Sequence, residues 1–502
     1  MGSYCGSRSG RSVPAYPQNL FLILKNPNDR NYIRLSVEAL LEIEQALNSP
    51  SFLGASVGPT LCTKFEMDFW LGEKVWSWLA VGRDILVLMR YLLLGRRGTR
   101  SVQQPEGTGR IVITWPNMRQ HLTGLTLPVI ECLRPEKIFV IGGSDQMRQY
   151  LPQKTAFKLY HEIHRIPRSQ WAPAYLKCIP VWHRQLRRAL KSYGVGARVL
   201  PDLHAILLYK CQMIADYGAW LDRVRPCAIL TESDRYEPNV PLILAARTRN
   251  IPTFTMQHGM PNAPIGSVPL LSDRIFCWGN HNRAEFLQWG VPPHRIMVTG
   301  CQAITRTLSA DKIPALQKLE LPTDRPVILL ATNPIAQRSR HQLARVFCEG
   351  VTKLTGMTPV VRLHPSEQVD FYESERQDFP GVRFLRNHEW SLDEAIAAAD
   401  VVVCHNTGFG LDALVKRKPV VVLDAIDEPL VLARGLVERG GCPKANDPDQ
   451  LQRILNQILH QPTYRKALFE QAEAYVAYVY AAFGKDAARN VADFILQAIS
   501  EI

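Results

Sequence analysis

The sequence has no uncharged apolar run of the ~18 residues that a membrane-spanning helix needs, so a spanning protein is not expected. Its opening, MGSYCGSRSGRS, lacks the apolar core of a secretory signal and reads as a Gly/Ser/Arg tail. The 11 cysteines are odd in number and scattered, with no Cys-x-x-Cys, which is the usage of a reducing compartment. A disulfide framework and a cysteine metal site are therefore not expected, and a cytoplasmic location is. No Walker loop and no G-x-S-x-G elbow occurs, and His161-Glu-Ile-His164 lacks the spacing of a zinc-protease helix. No internal repeat of solenoid period is present.

Acidic residues are the scarcer charge: 46 Asp and Glu stand against 59 Lys and Arg, a net +13 that favours an anionic partner. With 46% hydrophobic residues the chain can bury a large core, and 502 residues at about 150 per domain suggest two large domains or three small ones.

Residues 74–97, KVWSWLAVGRDILVLMRYLLLGRR, place Arg83, Arg90 and Arg97 every seven residues on an apolar background. Such a helix suits a membrane surface, or else packs in the fold with its arginines reaching solvent. A polar linker, GTRSVQQPEGTG, ends at 109, and beyond it short apolar runs alternate with helical patterns: Arg110-IVIT, Lys137-IFVIGG, Cys227-AILTESD and Pro252-TFTMQHG. A second series follows the segment at 301–322, with Pro326-VILLATNP, Pro359-VVRLHP, Val382-RFL, Asp400-VVVCHNTG and Pro419-VVVLDA. Near-continuous Val/Ile runs between helices are what a parallel sheet covered on both faces demands. The expected organisation is α/β: a tail and mainly helical extension at 1–105, doubly wound domains at 106–300 and 301–470, and closing helices at 471–502.

In open parallel sheets ligands bind beyond the carboxyl ends of the strands, so the residues following each run are the candidates. In the first domain these are Glu232, Asp234 and His258. Asp234, just past CAILTES, is the best placed to act on an acceptor hydroxyl or sugar carbon; Glu232 alternates with it across Ser233. In the second domain they are Asn333, Arg362, His364, Asn406, Thr407, Gly408, Asp427 and Glu428. The HNTG turn opens a helix, where Thr407 and Gly408 N–H groups could receive phosphate, or where Asn406 or Thr407 simply caps the helix. Gly408-Phe-Gly410-Leu-Asp-Ala413 also fits a dinucleotide fingerprint, but in a unit too short and too late in the chain. Asp447-Pro-Asp449 precedes QLQRILNQIL and reads as a cap rather than a metal ligand pair.

The order TESDRYEPNVPLILAARTRNIPTFTMQHG, SDRIFCWGNHNRAEFLQWGVPPHRIMVTG, VRLHP and AADVVVCHNTGFGLDALVKRKPVVVLD resembles the GT-B glycosyltransferase superfamily over roughly residues 110–490. Similar stretches occur in bacterial surface and capsular polysaccharide transferases, including Kdo transferases, sialyltransferases with a His-Pro motif and CDP-glycerol polymerases. The resemblance implies two Rossmann-like domains facing a cleft, with donor nucleotide mainly on the second and acceptor on the first. It implies a metal-independent transfer, without cofactor, from a nucleotide sugar, a CMP sugar favoured, to a cell-surface polysaccharide or glycolipid. Arg362, His364, Asn406, Thr407 and Gly408 would hold the phosphate, with Asn333 at the neighbouring strand end and Asp427 or Glu428 near the ribose. Asp234 would be base or nucleophile, and His258 a proton donor or phosphate contact. A nucleic-acid partner is not expected; peripheral attachment to the inner face of the plasma membrane through 74–97 stays open beside the packed-helix reading of that segment.

UDP-N-acetylglucosamine 2-epimerases share the superfamily, and the chain follows their pattern loosely through SDR, VTG and the HNTG helix. It departs where they carry acids and bases: QHG stands for H-x-E-A-G, NPIAQR for His-Arg-x-Glu-Asn, and SGG-x-x-E-E is absent. The alternatives to a transferase are thus an epimerase-like isomerase or a non-catalytic component of a polysaccharide assembly complex.

Overall fold

The computed structural model describes residues 51–55 and 109–501, apart from 119, 164, 193–199, 236, 261–266, 334, 429 and 431–432. The basic helix expected at 74–97 lies outside the described residues, as does nearly all of the expected N-terminal extension. Among the described residues no helix is long and apolar enough to cross a membrane.

The first apolar series forms a seven-stranded sheet: β1 (Ile111–Trp115), β2 (Ile138–Gly142), β3 (Ala156–Leu159), β4 (Ala228–Thr231), β5 (Thr253–Met256), β6 (Arg274–Cys277) and β7 (Ile296–Val298). Its order is β3-β2-β1-β4-β5-β6-β7 and every pair is parallel. The second series forms β8 (Val327–Ala331), β9 (Thr358–Arg362), β10 (Arg383–Leu385), β11 (Val401–Cys404), β12 (Val420–Leu423) and β13 (Lys444–Ala445). These run β10-β9-β8-β11-β12-β13, again all parallel. The central strands β1, β4, β8, β11 and β12 are buried at every position, which is why they read as unbroken Val/Ile runs.

Two doubly wound α/β domains are therefore present, as expected. Strands β3, β6, β7 and β13 were not legible as strands, because they are two to four residues long and three of them sit at a sheet edge, with β6 next to one. So short a segment carries too few side chains for a period to show.

The carboxyl-terminal helices join the two domains. Helix Pro462–Val479 starts on the second domain, and helix Gly484–Ser500 returns to the first, packing on helix Gln120–Cys132. The return is stitched by Cys301 N–H to Ala482 O (3.0 Å), Gly484 N–H to Cys301 O (3.0 Å) and Asn490 Nδ2 to Thr299 O (3.0 Å). Gly300 allows this close approach: its φ is +96°, and a Cβ there would lie 2.4 Å from Ala482 O. The position expected to end the second domain, 470, falls inside helix Pro462–Val479.

Candidate active site

Both sheets reverse strand order at one point, between β1 and β4 in the first and between β8 and β11 in the second. The crevice beyond the carboxyl ends of these strand pairs is where an open α/β sheet binds its ligand.

In the first domain the reversal point is closed by a buried polar cluster. Thr114 Oγ1, at the end of β1, donates to Glu232 Oε2 (2.9 Å), just past β4. Asn239 Nδ2 donates to Glu232 Oε1 (3.0 Å) and to Ser233 O (2.7 Å). Burial pushes the Glu232 carboxyl up to about 7, against the lowering effect of these hydrogen bonds. The buried Tyr160 phenol is raised too, first by burial and then by the Glu232 charge, so this ring belongs to the same cluster. A carboxyl poised near neutrality at a strand-order reversal can hold or release a proton at working pH.

Asp234, expected to act as base or nucleophile, is here an acceptor of backbone N–H groups. Its Oδ2 accepts the backbone N–H groups of both Leu271 (2.6 Å) and Ser272 (2.8 Å), and only 4% of the residue is exposed. Burial raises its pKa, while the Ser272 and Leu271 N–H groups and the charges of Arg235 and Arg295 pull it back. Arg295 extends the same anchor through Nη2 to Leu270 O (2.9 Å) and to Ser272 O, and Arg235 Nη1 reaches Pro269 O (3.3 Å). Asp234 thus pins the 269–273 segment that feeds β6. Asp234→Ala should cost roughly 3–5 kcal/mol, because it orphans two buried N–H groups and uncovers two arginines. Asp234→Asn keeps an acceptor oxygen and should fold and remain active; urea unfolding and turnover of the two variants check this. Loss of turnover in folded Asp234→Asn would return this residue to the chemistry.

His258 is half-buried in the turn after β5. The turn is held by its neighbour Gln257, whose Nε2 donates to Gly259 O (2.9 Å) and whose Oε1 accepts Trp278 N–H (3.1 Å).

In the second domain the strand ends bring the two expected motifs together. Arg362 ends β9, and its guanidinium lies 5.3 Å from the centroid of Phe409, the first residue of helix Phe409–Val415 beyond β11. Burial pushes the Arg362 guanidinium down to about 10. His364 is lowered as well, mainly by burial, with the Arg362 charge adding and Glu367 opposing. Asn333, at the end of β8, is 8% exposed, and its Oδ1 is buried without a hydrogen bond. Asn406 Oδ1 accepts Ala433 N–H (3.3 Å), and Thr407 Oγ1 accepts Phe409 N–H (3.4 Å), a local cap. Gly408 is exposed with open space around it. The helix it begins is only seven residues long, so its dipole adds little to an anion site. Asp427 is exposed and Glu428 half-buried in the loop after β12, while the neighbouring Asp424 is ion-paired to Lys444 (2.9 Å). Asp447 caps helix Pro448–His460 through Gln450 N–H (2.8 Å), as its sequence setting suggested.

One buried group at this site was missed from sequence. Glu367, in the turn after His364, accepts Tyr372 Oη–H (3.0 Å) at Oε1 and His364 N–H (3.0 Å) at Oε2. Thr332 Oγ1 also donates to Oε2, and Arg340 Nε forms an ion pair with Oε1 (3.2 Å). The signal was a carboxylate three residues after the histidine in His364-Pro-Ser-Glu367, a spacing that lets a side chain fold back onto the turn's own N–H.

Two cavities of about 570 and 640 Å³ open elsewhere, at the amino ends of β4, β5 and β6, beside Arg225, Arg249, Arg247 and Arg274. They lie at the opposite end of the first sheet from the residues above.

No protein-family model matches the chain, and no curated protein matches it in sequence. Solved structures match its fold. A glycosyltransferase from Rickettsia africae superposes with a TM-score of 0.51 at 12% identity, covering 78% of this chain and 99% of its own. A UDP-N-acetylglucosamine 2-epimerase gives 0.51 at 16% identity, over 78% of this chain and 96% of its own. A Listeria monocytogenes protein assigned as a UDP-N-acetylglucosamine 2-epimerase gives 0.50 at 14%, over 79% and 98%. The architecture is thus the two-domain GT-B fold; at these identities the likeness carries no further than the fold.

Proposed function

We propose that this protein is a glycosyltransferase that moves a sugar from a nucleotide-activated donor to a hydroxyl of a glycan or glycolipid. The observation that carries the reading is the contact of Arg362, the last residue of β9 and two residues before His364, with Phe409 of the turn beyond β11, at the strand ends flanking the strand-order reversal of the second sheet. A half-buried guanidinium and an imidazole at that point suit the phosphate of a nucleotide donor. Asn333, Thr407 and Gly408 line the same strand ends, and Glu428 lies one strand further for the ribose.

The first domain then receives the acceptor. Glu232 takes the acceptor proton as the new oxygen–carbon bond forms, and the bond from the sugar carbon to the donor phosphate breaks with its electrons passing to the phosphate oxygen. Arg362 and His364 stabilise that developing charge. His258, half-buried in the turn beyond the adjacent strand β5, contacts the acceptor or the leaving phosphate.

Two structures of the same fold are named for UDP-N-acetylglucosamine 2-epimerase, which favours epimerisation as the second reading. The absence of that family's acidic segments at QHG and NPIAQR speaks against it. One experiment separates the two. CMP, CDP, UDP and GDP are screened by thermal shift, since a ligand at 100 times its dissociation constant stabilises the fold by about 2.7 kcal/mol. The sugar conjugates of the binding nucleotide are then incubated with and without a glycan acceptor in deuterated water. Nucleotide release that requires acceptor supports transfer; deuterium in the recovered nucleotide sugar without acceptor supports epimerisation. No stabilisation by any nucleotide would overturn both.

A further inference from the structure

The turn at 364–367 is built around Glu367, whose side chain is 1% exposed. Every group that meets the carboxylate is a donor or a cation: the Thr332 hydroxyl and His364 N–H at Oε2, the Tyr372 hydroxyl and Arg340 at Oε1. Only an acceptor-only side chain can serve all four at once. The His364 N–H is shared with Thr332 Oγ1 (2.9 Å), and Glu367 N–H returns to His364 O (2.9 Å), so the turn is tied from both ends.

The same turn decides the state of the imidazole. Ser366 N–H points at His364 Nδ1 (3.2 Å), and the Ser366 hydroxyl lies 2.8 Å from that nitrogen. A backbone N–H can only donate, so Nδ1 is the acceptor, and the neutral ring carries its proton on Nε2.

We propose that Glu367 is a positioning residue: by fixing the 364–367 turn through the main chain of His364, it holds the imidazole in the Nε2–H form as a donor at the mouth of β9. Burial lowers the His364 pKa and so disfavours the imidazolium, in accord with a donor rather than a cation. That the donor faces a nucleotide phosphate rests on the function proposed above; the tautomer and its dependence on Glu367 do not.

The test uses the full chain labelled with [15N]histidine, with the His364 signals assigned by their loss in His364→Gln. The wild type should show an unprotonated Nδ1 and a protonated Nε2 at pH 7. In Glu367→Gln an amide cannot satisfy all four neighbours, so the signals should shift toward a mixture of tautomers, and the dissociation constant of the nucleotide identified by thermal shift should rise roughly tenfold. If Glu367→Gln fails to fold, Thr332→Val removes the hydroxyl that links the carboxylate to the turn and is read in the same way. A wild type with the proton on Nδ1, or a folded variant with unchanged signals and affinity, would overturn the proposal. A wild type that binds no nucleotide, yet whose His364 signals change in Glu367→Gln, would instead remove the transferase reading and leave the positioning role in place.

Discussion

Glu232→Gln is expected to slow sugar transfer by roughly 10²- to 10⁴-fold, the range contributed by a positioned general base. Glutamine copies the protonated acid: its oxygen can accept from Asn239 and its amide can donate to the Thr114 hydroxyl, so the cluster stays hydrogen-bonded. The pH dependence separates a base from a packing residue. With Glu232 raised from the ordinary 4.5 to about 7, wild-type rate should climb as pH rises through about 7. Stability should move the other way. Between those values the folded state keeps a proton that the unfolded chain has released, so this group's contribution is full below about pH 4.5 and is lost as pH rises through 7, by about 3 kcal/mol in all. The variant should lack that loss and be at least as stable as wild type at pH 8. Urea unfolding at pH 5 and 8, beside a pH–rate profile, reads both effects. Near-normal transfer by Glu232→Gln would sink the assignment.

Arg362→Met should weaken binding of the donor nucleotide by roughly 10- to 100-fold, the worth of a charge-assisted hydrogen bond of 1.5–3 kcal/mol. The ligand-free protein should not lose stability in proportion. A guanidinium that burial drives down to about 10 is paying for desolvation before any anion arrives, and methionine fills the space over Phe409 without that cost. The expected thermal-shift pattern is therefore an apo midpoint equal to or above wild type, with the nucleotide-induced rise mostly gone. A variant that melts early but still responds fully to nucleotide would make Arg362 a structural residue.

The parts of this protein that were legible in sequence are those where one side chain reports one local fact. Val401–Cys404 and Val420–Leu423 read as buried strands because both faces of a central strand are apolar, and Arg362, His364, Asn406 and Thr407 read as site candidates because they follow such runs. The carboxylates were harder. Glu232 and Asp234 stand two residues apart behind one strand, and nothing in TESD says that one will bond Thr114 and Asn239 while the other ties down Leu271 and Ser272. Glu367 went unread because two of its partners, Thr332 and Arg340, come from segments that only the fold brings to it.

By itself, then, the amino-acid order determined two parallel α/β layers and where their strand ends fall, since hydrophobic periodicity and chain direction are local properties. The tertiary structure alone decided which carboxyl is poised near neutrality, which is an anchor, how the 364–367 turn is locked, and that helix Gly484–Ser500 crosses back to the first domain. Those outcomes depend on burial and on hydrogen-bond partners up to 191 residues apart, as Asn490 is from Thr299, and no window of sequence contains both ends of such a bond.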